Sequence, residues 1–223
     1  FSNLGKTITY GELYELSGAF AAYLQQHTDL QPGDRIAVQL PNVLQYPVAV
    51  FGAIRAGLIV VNTNPLYTAR EMEHQFNDSG AKALVCLANM AHLAETVVPK
   101  TGVKHVFVTE VADLLPPVKR LLINSVIKYV KKMVPAYHLP KAIKFNDALS
   151  KGQGQPVAEA NPHSGDVAVL QYTGGTTGVA KGAMLTHRNL VANMLQCKAL
   201  MGSNLNEGCE ILITPLPLYH IYA

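Results

Sequence analysis

Residues 172–183, with the sequence YTGGTTGVAKGA, combine three residue types that suit a protein to hold a polyphosphate. Because glycine lacks a Cβ, the backbone N–H groups around Gly174, Gly175 and Gly178 are able to approach phosphate oxygens closely. The threonine hydroxyls of this segment donate hydrogen bonds, and the ammonium group of Lys181 neutralises negative charge. We therefore predict that this segment, called the phosphate loop below, binds the phosphates of a nucleotide.

Two common nucleotide-binding motifs do not fit the phosphate loop. A Walker A loop requires Gly-Lys followed by Ser or Thr, whereas Lys181 lies between Ala180 and Gly182. A Walker loop also opens a helix, whereas this loop joins two predicted strands, over 167–172 and 183–185. The Gly-x-Gly-x-x-Gly motif with its downstream acidic residue is also not present. The residues therefore indicate a different class of phosphate-binding loop.

Helices and strands alternate along the chain. Thr9-x-x-Glu12 and Thr68-x-x-Glu71 are capping boxes, which predict helices that end near Gln26 and Gly80. Apolar periodicity and turn residues predict further helices over 44–56, 90–98 and 187–201, and strands over 35–40, 58–61, 83–87, 105–109, 167–172 and 211–214. This alternation is typical of a largely parallel sheet covered on both faces. The expected fold class is α/β, with largely parallel sheets flanked by helices.

The chain is expected to divide at a polar stretch. We predict an N-terminal α/β subdomain over 1–150, a linker over 151–166 rich in Gly, Pro, Ser and Asn, and the start of a second α/β lobe, carrying the phosphate loop, over 167–223. The chain begins with Phe1 rather than Met and stops inside the apolar run LPLYHIYA. We therefore expect it to be a piece of a longer polypeptide.

Residues 114–134 predict a basic amphipathic helix. At 100° per residue one face is apolar, and the opposite face is basic. The favoured interpretation is a surface helix whose apolar face packs on the sheet, and the alternative is peripheral contact with anionic lipid. The apolar positions are Leu115, Val118, Leu122, Val126, Val130 and Met133, and the basic positions are Arg120, Lys128, Lys131 and Lys132.

Composition excludes several classes of protein. With 49% apolar and 15% charged residues the chain is an ordinary globular sequence, and its net charge of +3 does not indicate a nucleic-acid partner. Cys86, Cys197 and Cys209 have no metal or disulfide spacing, so we expect reduced, buried thiols and no protein metal site. No apolar run reaches the length of a membrane span, and no signal peptide is evident, so a cytoplasmic location is expected.

The segment YTGGTTGVAKGAMLTH resembles the signature of the acyl-adenylate-forming superfamily, in which a Thr/Ser/Gly-rich loop ends in Lys-Gly and precedes a Thr-His or Ser-His pair. The superfamily often has Ser where this chain has Gly174 and Pro where it has Ala180. Within the superfamily the chain looks most like bacterial long-chain fatty acid–CoA ligases. That resemblance covers nearly the whole chain and also rests on the segments ITYGELYELSGAFAAYL, NPLYTAREMEHQFNDSGAK and PLPLYHIYA.

The resemblance implies the large N-terminal domain of an adenylate-forming enzyme. Its implied activity converts a long-chain fatty acid to an acyl-adenylate and then to acyl-CoA, using ATP, Mg²⁺ and coenzyme A and releasing AMP and pyrophosphate. Thr176, Thr177, Lys181 and His220 are the implied catalytic residues, and Tyr219 and His220 the implied substrate-binding residues. The implied nucleotide-binding residues are Tyr172, Thr173, Gly174, Gly175, Thr176, Thr177, Gly178, Val179, Ala180, Lys181, Gly182 and Ala183.

Several alternatives stay open at this point. His220 either orients the substrate carboxylate, gates the acyl tunnel or is a structural histidine. His187 and Arg188 are expected to cap or pair locally. The superfamily's adenine-binding, ribose-binding and distal lysine segments do not occur in the chain, so we expect this piece alone to be incompetent. An ATP-binding module without catalysis and a superfamily ligase for another carboxylic acid are the alternative functions. The sequence does not decide the oligomeric state.

Overall fold

The computed structural model of the chain describes residues 1–173, 180–202, 206 and 208–220. Its helices are α1 Tyr10–His27, α2 Gln45–Arg55, α3 Ala69–Ser79, α4 Ala91–Val97, α5 Pro117–Ser125, α6 Phe145–Gly152 and α7 His187–Met201. Its strands are β1 Ser2–Asn3, β2 Lys6–Thr7, β3 Arg35–Gln39, β4 Ile59–Asn62, β5 Ala81–Leu87, β6 His105–Thr109, β7 Ile143–Lys144, β8 Val167–Thr173 and β9 Lys181–Thr186.

Strands β3 to β9 form one seven-stranded sheet in the order β7-β6-β5-β3-β4-β8-β9. Neighbouring strands are parallel except for β8 and β9, which are antiparallel. The short strands β1 and β2 pair separately as an antiparallel hairpin, which is too short to show an alternating pattern in the sequence. The predicted α/β fold with a largely parallel sheet is confirmed.

The helix starts follow the predicted capping chemistry. Thr9, Thr68 and Thr186 each accept a hydrogen bond from the backbone of the third helical residue, whose side chain caps the backbone in return. Gly80 ends α3 in the left-handed conformation, with φ 62°. Outside residues 114–134 and 211–214, the predicted helix and strand boundaries agree with the structure to within about two residues, which is the usual uncertainty of helix ends.

Helices cover both faces of the sheet. On one face α1, α2 and α6 bury Phe20, Ala49 and Phe145 against the strands, and on the other α3 and α4 bury Phe76 and Ala94. Alternate residues of β5 belong to these two cores, as expected when successive strand side chains point to opposite faces. The strands are therefore apolar on both sides, which explains their continuous apolar runs.

Strand β8 connects the early and late parts of the chain. It pairs in parallel with β4, so the described strands before and after residues 151–166 belong to the same sheet. The division into a subdomain over 1–150 and a second lobe over 167–223 stays a prediction. Throughout the described residues, every helix is too short or too polar to cross a bilayer.

Two predictions about exposed residues are wrong. Residues 211–214 form no strand, because no described strand lies beside them, and the side chains of Ile211, Leu212 and Ile213 are 89%, 78% and 88% exposed. Of the three cysteines, which are all free thiols, only Cys86 is buried. Cys197 is exposed because it lies on α7, none of whose residues is buried.

The predicted amphipathic helix over 114–134 is shorter than expected. It consists of α5 followed by a π-helical turn over Val126–Val130, and Lys132 adopts a positive φ of 52°. Most of the apolar positions predicted to pack on the sheet are exposed: of those positions only Leu115 is buried and Val126 is partly buried. The segment contacts the core instead through Leu115 and the partly buried Leu114 and Ile123. The exposed apolar side chains are Val118, Leu121, Leu122, Tyr129, Val130 and Met133.

Candidate functional site

The phosphate loop joins β8 to β9, as the sequence predicts. These strands are antiparallel, and their last register pairs are Tyr172 with Gly182 and Thr173 with Lys181. The two strands therefore bring both ends of the loop together at the edge of the sheet. The predicted residues Gly174, Gly175, Thr176, Thr177, Gly178 and Val179 lie outside the described residues, so their roles stay predictions.

One face of this hairpin carries the polar groups suited to phosphate. Thr173 and Lys181 are both exposed, and directly opposed residues of antiparallel strands point to the same face. A hydroxyl donor and an ammonium group thus flank the loop on one side. Because both side chains are exposed, they are accessible to an anionic ligand, and Lys181 makes no ion pair with the described residues.

The other face of the hairpin rests on α3. The buried Tyr172 hydroxyl donates to Asp78 Oδ2 at 2.5 Å, and His74 Nε2 lies 3.1 Å from the carbonyl oxygen of Ala180. Burial and the neighbouring Asp78 carboxyl group raise the pKa of Tyr172 well above its usual value. The hydroxyl is therefore protonated at neutral pH and available as a donor.

Gly182 permits the close contact between the two strands at this point. A Cβ at this position would lie 2.9 Å from Cε2 and 3.1 Å from Cζ of the Tyr172 ring. Real side chains do not approach so closely, so any larger residue would displace Tyr172 from Asp78. The glycine of the Lys-Gly pair therefore has a packing role in addition to any role in the loop itself.

A chain of side-chain hydrogen bonds connects the sheet to Tyr219. Tyr46 donates to Asn62 Oδ1 at 2.8 Å, and Asn62 Nδ2 donates to Gln171 Oε1 at 2.9 Å. Gln171 Nε2 then donates to the Tyr219 carbonyl oxygen at 3.2 Å. Gln171 and Thr173 lie on the same face of β8 because they are two residues apart. The structure therefore brings Tyr219 to the face that carries Thr173 and Lys181.

Asn42 holds the segment that leads to Tyr219. Its Nδ2 group donates to the carbonyl oxygens of Leu216 at 2.9 Å and Thr214 at 3.3 Å, and its Oδ1 accepts from the Leu218 N–H at 2.8 Å. An open cleft of about 480 Å³ lies beside these contacts. The cleft is lined by Pro41, Asn42, Pro65, Leu66, Met90, Pro215, Pro217 and Tyr219.

The cleft has the position expected of a ligand site. Four of its lining residues closely follow the carboxyl ends of β3 and β4, where parallel sheets commonly bind ligands. Tyr219, a predicted substrate-binding residue, lines it. His220 is exposed, and its backbone N–H donates to the Pro217 carbonyl oxygen at 2.8 Å. The substrate-binding roles of Tyr219 and His220 stay predictions.

Two other predictions concern residues near the site. The His187 backbone N–H donates to the Asp166 carbonyl oxygen, and the Arg188 side chain donates to the Ser164 hydroxyl at 3.1 Å, so both residues contact the segment that precedes β8. In the ranges that the structure describes, no group of three or more His, Cys, Asp or Glu side chains is arranged to hold a metal ion.

Five residues that frame the site were not predicted from the sequence. They are Asn42, Asn62, His74, Asp78 and Gln171. A signal for two of them exists in the sequence, because Asn62 and Gln171 are polar residues that directly follow apolar runs in strands β4 and β8. For His74 and Asp78 the only feature in the sequence is their spacing of four residues on one helix. That spacing places them on the same helix face but does not predict a contact with the phosphate loop.

Comparisons with known proteins agree with this architecture. The profile of the AMP-binding enzyme family matches residues 1–223. The long-chain-fatty-acid–CoA ligase of Salmonella typhimurium is 56% identical over all of this chain, which spans 40% of that relative's length. The crystal structure of a long-chain-fatty-acid–CoA ligase from Archaeoglobus fulgidus has 27% identity and a TM-score of 0.73, covering 98% of this chain and 37% of that one. ATP-bound MatB from Rhodopseudomonas palustris has 26% identity and a TM-score of 0.72, covering 97% and 36%.

Proposed function

This chain belongs to the AMP-binding enzyme family, and on that premise we propose that the longer protein activates long-chain fatty acids as their CoA thioesters. The proposal is supported by its 56% identity to a long-chain-fatty-acid–CoA ligase over the whole chain. Because the chain spans only 40% of that relative, the complete activity is proposed for the longer protein. The isolated chain is not expected to complete a turnover.

The proposed reaction has two steps. In the first, a carboxylate oxygen of the fatty acid attacks the α-phosphorus of ATP, and the bond to the β-phosphate oxygen breaks to release pyrophosphate. In the second, the sulfur of coenzyme A attacks the acyl carbon, and AMP leaves with the electrons of the broken acyl–oxygen bond. Both steps depend on positioning and on neutralising phosphate charge.

The observation that carries the proposal is the paired placement of Thr173 and Lys181 at the base of the phosphate loop. We assign Lys181, Thr176 and Thr177 to binding the β- and γ-phosphates, which leave as pyrophosphate. The other residues of 172–183 are assigned to the rest of the nucleotide. Mg²⁺ bound to ATP would add further charge neutralisation, and the hydroxyl and ammonium groups of the described hairpin suit phosphate oxygens. The crystal structure of MatB, which has a similar fold, holds ATP, and this supports a nucleotide as a ligand of this fold.

The acyl end of the reaction is proposed to lie at the apolar cleft. Tyr219 lines this cleft, and the Gln171 contact holds it on the same face as Lys181. We therefore assign Tyr219 and His220 to the fatty acid, with His220 orienting the carboxylate toward ATP. The lining prolines and Leu66 would contact the hydrocarbon chain, since burying apolar surface there is favourable.

A pyrophosphate-release assay on the full-length protein tests the function. Octanoate, dodecanoate, palmitate, oleate and benzoate are compared, each with and without coenzyme A. We expect palmitate and oleate to give about one equivalent of pyrophosphate per enzyme without coenzyme A and continuous turnover with it, because the adenylate then leaves. Octanoate should react more slowly because it buries less apolar surface.

Other outcomes of this assay separate the alternatives. Release of pyrophosphate with benzoate but not with palmitate would identify a ligase for another acid. ATP binding without pyrophosphate release for any acid would identify a binding module without catalysis. Either result would contradict the fatty acid–CoA ligase assignment.

We also propose that residues 114–134 make peripheral contact with the inner face of an anionic membrane, in a cytoplasmic protein. The segment is held near its middle, where Ala112 N–H donates to Asn124 Oδ1 at 3.0 Å, and near its C-terminal end, where Asn89 Nδ2 donates to the Met133 carbonyl oxygen at 2.8 Å. Outside these contacts apolar side chains are exposed, with Val118 and Leu121 at 80% and 72%. Residues 114–146 contain no acidic side chain but have basic residues at Lys119, Arg120, Lys128, Lys131, Lys132, Lys141 and Lys144.

Vesicle flotation of the full-length protein tests this contact. Replacing Lys128, Lys131 and Lys132 with glutamine is expected to lower binding to phosphatidylglycerol vesicles by about a hundredfold, since each surface cation contributes about 1 kcal/mol. Binding to phosphatidylcholine vesicles should be weak for both proteins. Lys151→Gln is the control, because it makes the same substitution at an exposed lysine of α6, outside residues 114–134, and should leave vesicle binding unchanged. Equal binding of the triple variant and the wild type would exclude electrostatic membrane contact through this segment.

A further inference from the structure

Two side chains of α3 contact opposite ends of the phosphate loop. Asp78 accepts the Tyr172 hydroxyl at the end of β8, and His74 lies against the Ala180 carbonyl oxygen immediately before β9. Residues four apart lie on the same face of a helix, so both contacts come from one side of α3. We propose that His74 and Asp78, called the α3 clamp below, are positioning residues that set the separation of the two loop ends for ATP.

The helix that carries the α3 clamp is itself firmly held. Met72 and Phe76 are completely buried in the core on that face of the sheet. Gln75 Nε2 donates to the Asn62 carbonyl oxygen at 3.0 Å, which ties α3 to β4. The capping box at Thr68 fixes the start of the helix. A side chain on α3 is therefore a fixed reference point for the hairpin.

The α3 clamp acts on residues next to those that face the ligand. Tyr172 precedes Thr173 and Ala180 precedes Lys181, and successive strand residues point to opposite faces. His74 and Asp78 therefore lie on the side of the hairpin away from the groups assigned to phosphate. They would affect the position of bound ATP by fixing the backbone at the two loop ends. A displacement of 1 Å in such a site lowers the reaction rate by about a hundredfold.

This inference rests on the proposed function and makes a specific kinetic prediction for the full-length protein. Asp78→Ala and His74→Ala are each expected to raise KM for ATP about tenfold, the effect of losing one hydrogen bond of this kind. The KM for palmitate should change much less. His74→Gln should recover most of the loss, because its amide N–H is able to donate to the Ala180 carbonyl oxygen.

A control on the same helix and a second readout keep the test decisive. Glu73→Ala removes only a surface ion pair with Lys100, at 3.5 Å, and should leave KM for ATP unchanged. Amide hydrogen exchange of the peptides containing β8 and β9 should be faster in Asp78→Ala and His74→Ala than in Glu73→Ala, while the melting temperatures show that all three fold. Faster exchange would show that the clamp holds the loop ends.

The α3 clamp and the ligase assignment fail in different ways. If wild-type protein forms acyl-CoA while both clamp variants keep its KM for ATP and its exchange rates, the clamp is wrong and the ligase assignment stands. If no acid yields pyrophosphate, the ligase assignment fails. In that case calorimetric titration with ATP and the exchange rates still decide the clamp, which is wrong if ATP affinity and exchange equal those of Glu73→Ala.

Discussion

Replacing Lys181 with alanine in the full-length protein is expected to lower kcat/KM for pyrophosphate release by about 10²–10³-fold, the usual effect of removing one group that stabilises transition-state charge. Lys181 is exposed at the start of β9, opposite Thr173, and makes no ion pair within the described part of the chain. Its removal should therefore leave stability nearly unchanged. Steady-state kinetics with palmitate, together with the melting temperature, measure both effects.

Two comparison variants sharpen the test of Lys181. Lys181→Arg keeps the charge but changes its geometry, so it should recover part of the activity. Lys151→Ala removes the same charge at the end of α6, which packs on the face of the sheet opposite α3, and should behave as wild type. Thr177→Ala is expected to reduce activity in the same direction as Lys181→Ala. Wild-type kinetics for both loop variants would show that the phosphate loop does not have its assigned role.

Replacing Gly152 with alanine is expected to destabilise the domain by about 3 kcal/mol, a large effect for overpacking. A Cβ at this position would lie 1.9 Å from the Ala19 carbonyl oxygen and 3.0 Å from the Tyr23 backbone nitrogen. Both are backbone atoms of α1, so no side-chain rotation relieves the clash. Helix α6 would have to move away from α1, opening the contacts of Phe145 and Phe20, whose ring centroids are 4.8 Å apart.

Thermal unfolding of the full-length protein measures this loss. A drop of about 10 °C in the transition that includes this domain is expected for a loss of this size. Gly165→Ala is the matched control, because its added Cβ meets no atom within 4 Å. That control should stay within about 0.5 kcal/mol of wild type. A Gly152→Ala protein as stable as the control would mean that α1 and α6 do not pack as closely as described.

Local chemistry made much of the fold predictable. Capping boxes at Thr9 and Thr68, glycine at the end of α3 and apolar strand runs are determined by neighbouring residues, and the structure confirms them. The hairpin around the phosphate loop was predictable for the same reason. Predictions that needed a distant partner were less successful. Residues 211–214 look like a strand by composition, but a strand also requires a neighbour that accepts its hydrogen bonds.

The frame of the candidate site was not predictable because its contacts join distant parts of the sequence. Asn42 binds the segment at Thr214 to Leu218, and Asp78 binds Tyr172. No local pattern specifies such pairs. The exposure of α5 was missed for a related reason: amphipathic periodicity identifies an apolar face but does not say whether a protein surface or another medium covers it.

The hydrogen bond from Gln171 to the Tyr219 backbone would affect any attempt to change the acid preference of the proposed ligase. Gln171 lies two residues before Thr173, so the wall of the proposed acyl cleft and the strand that leads to the proposed nucleotide site share this structural support. Substitutions that shift Tyr219 to admit a bulkier acid would pull on the strand that leads into the phosphate loop. Acid preference and ATP use in this enzyme are therefore expected to evolve together, and redesign of one should be screened against the other.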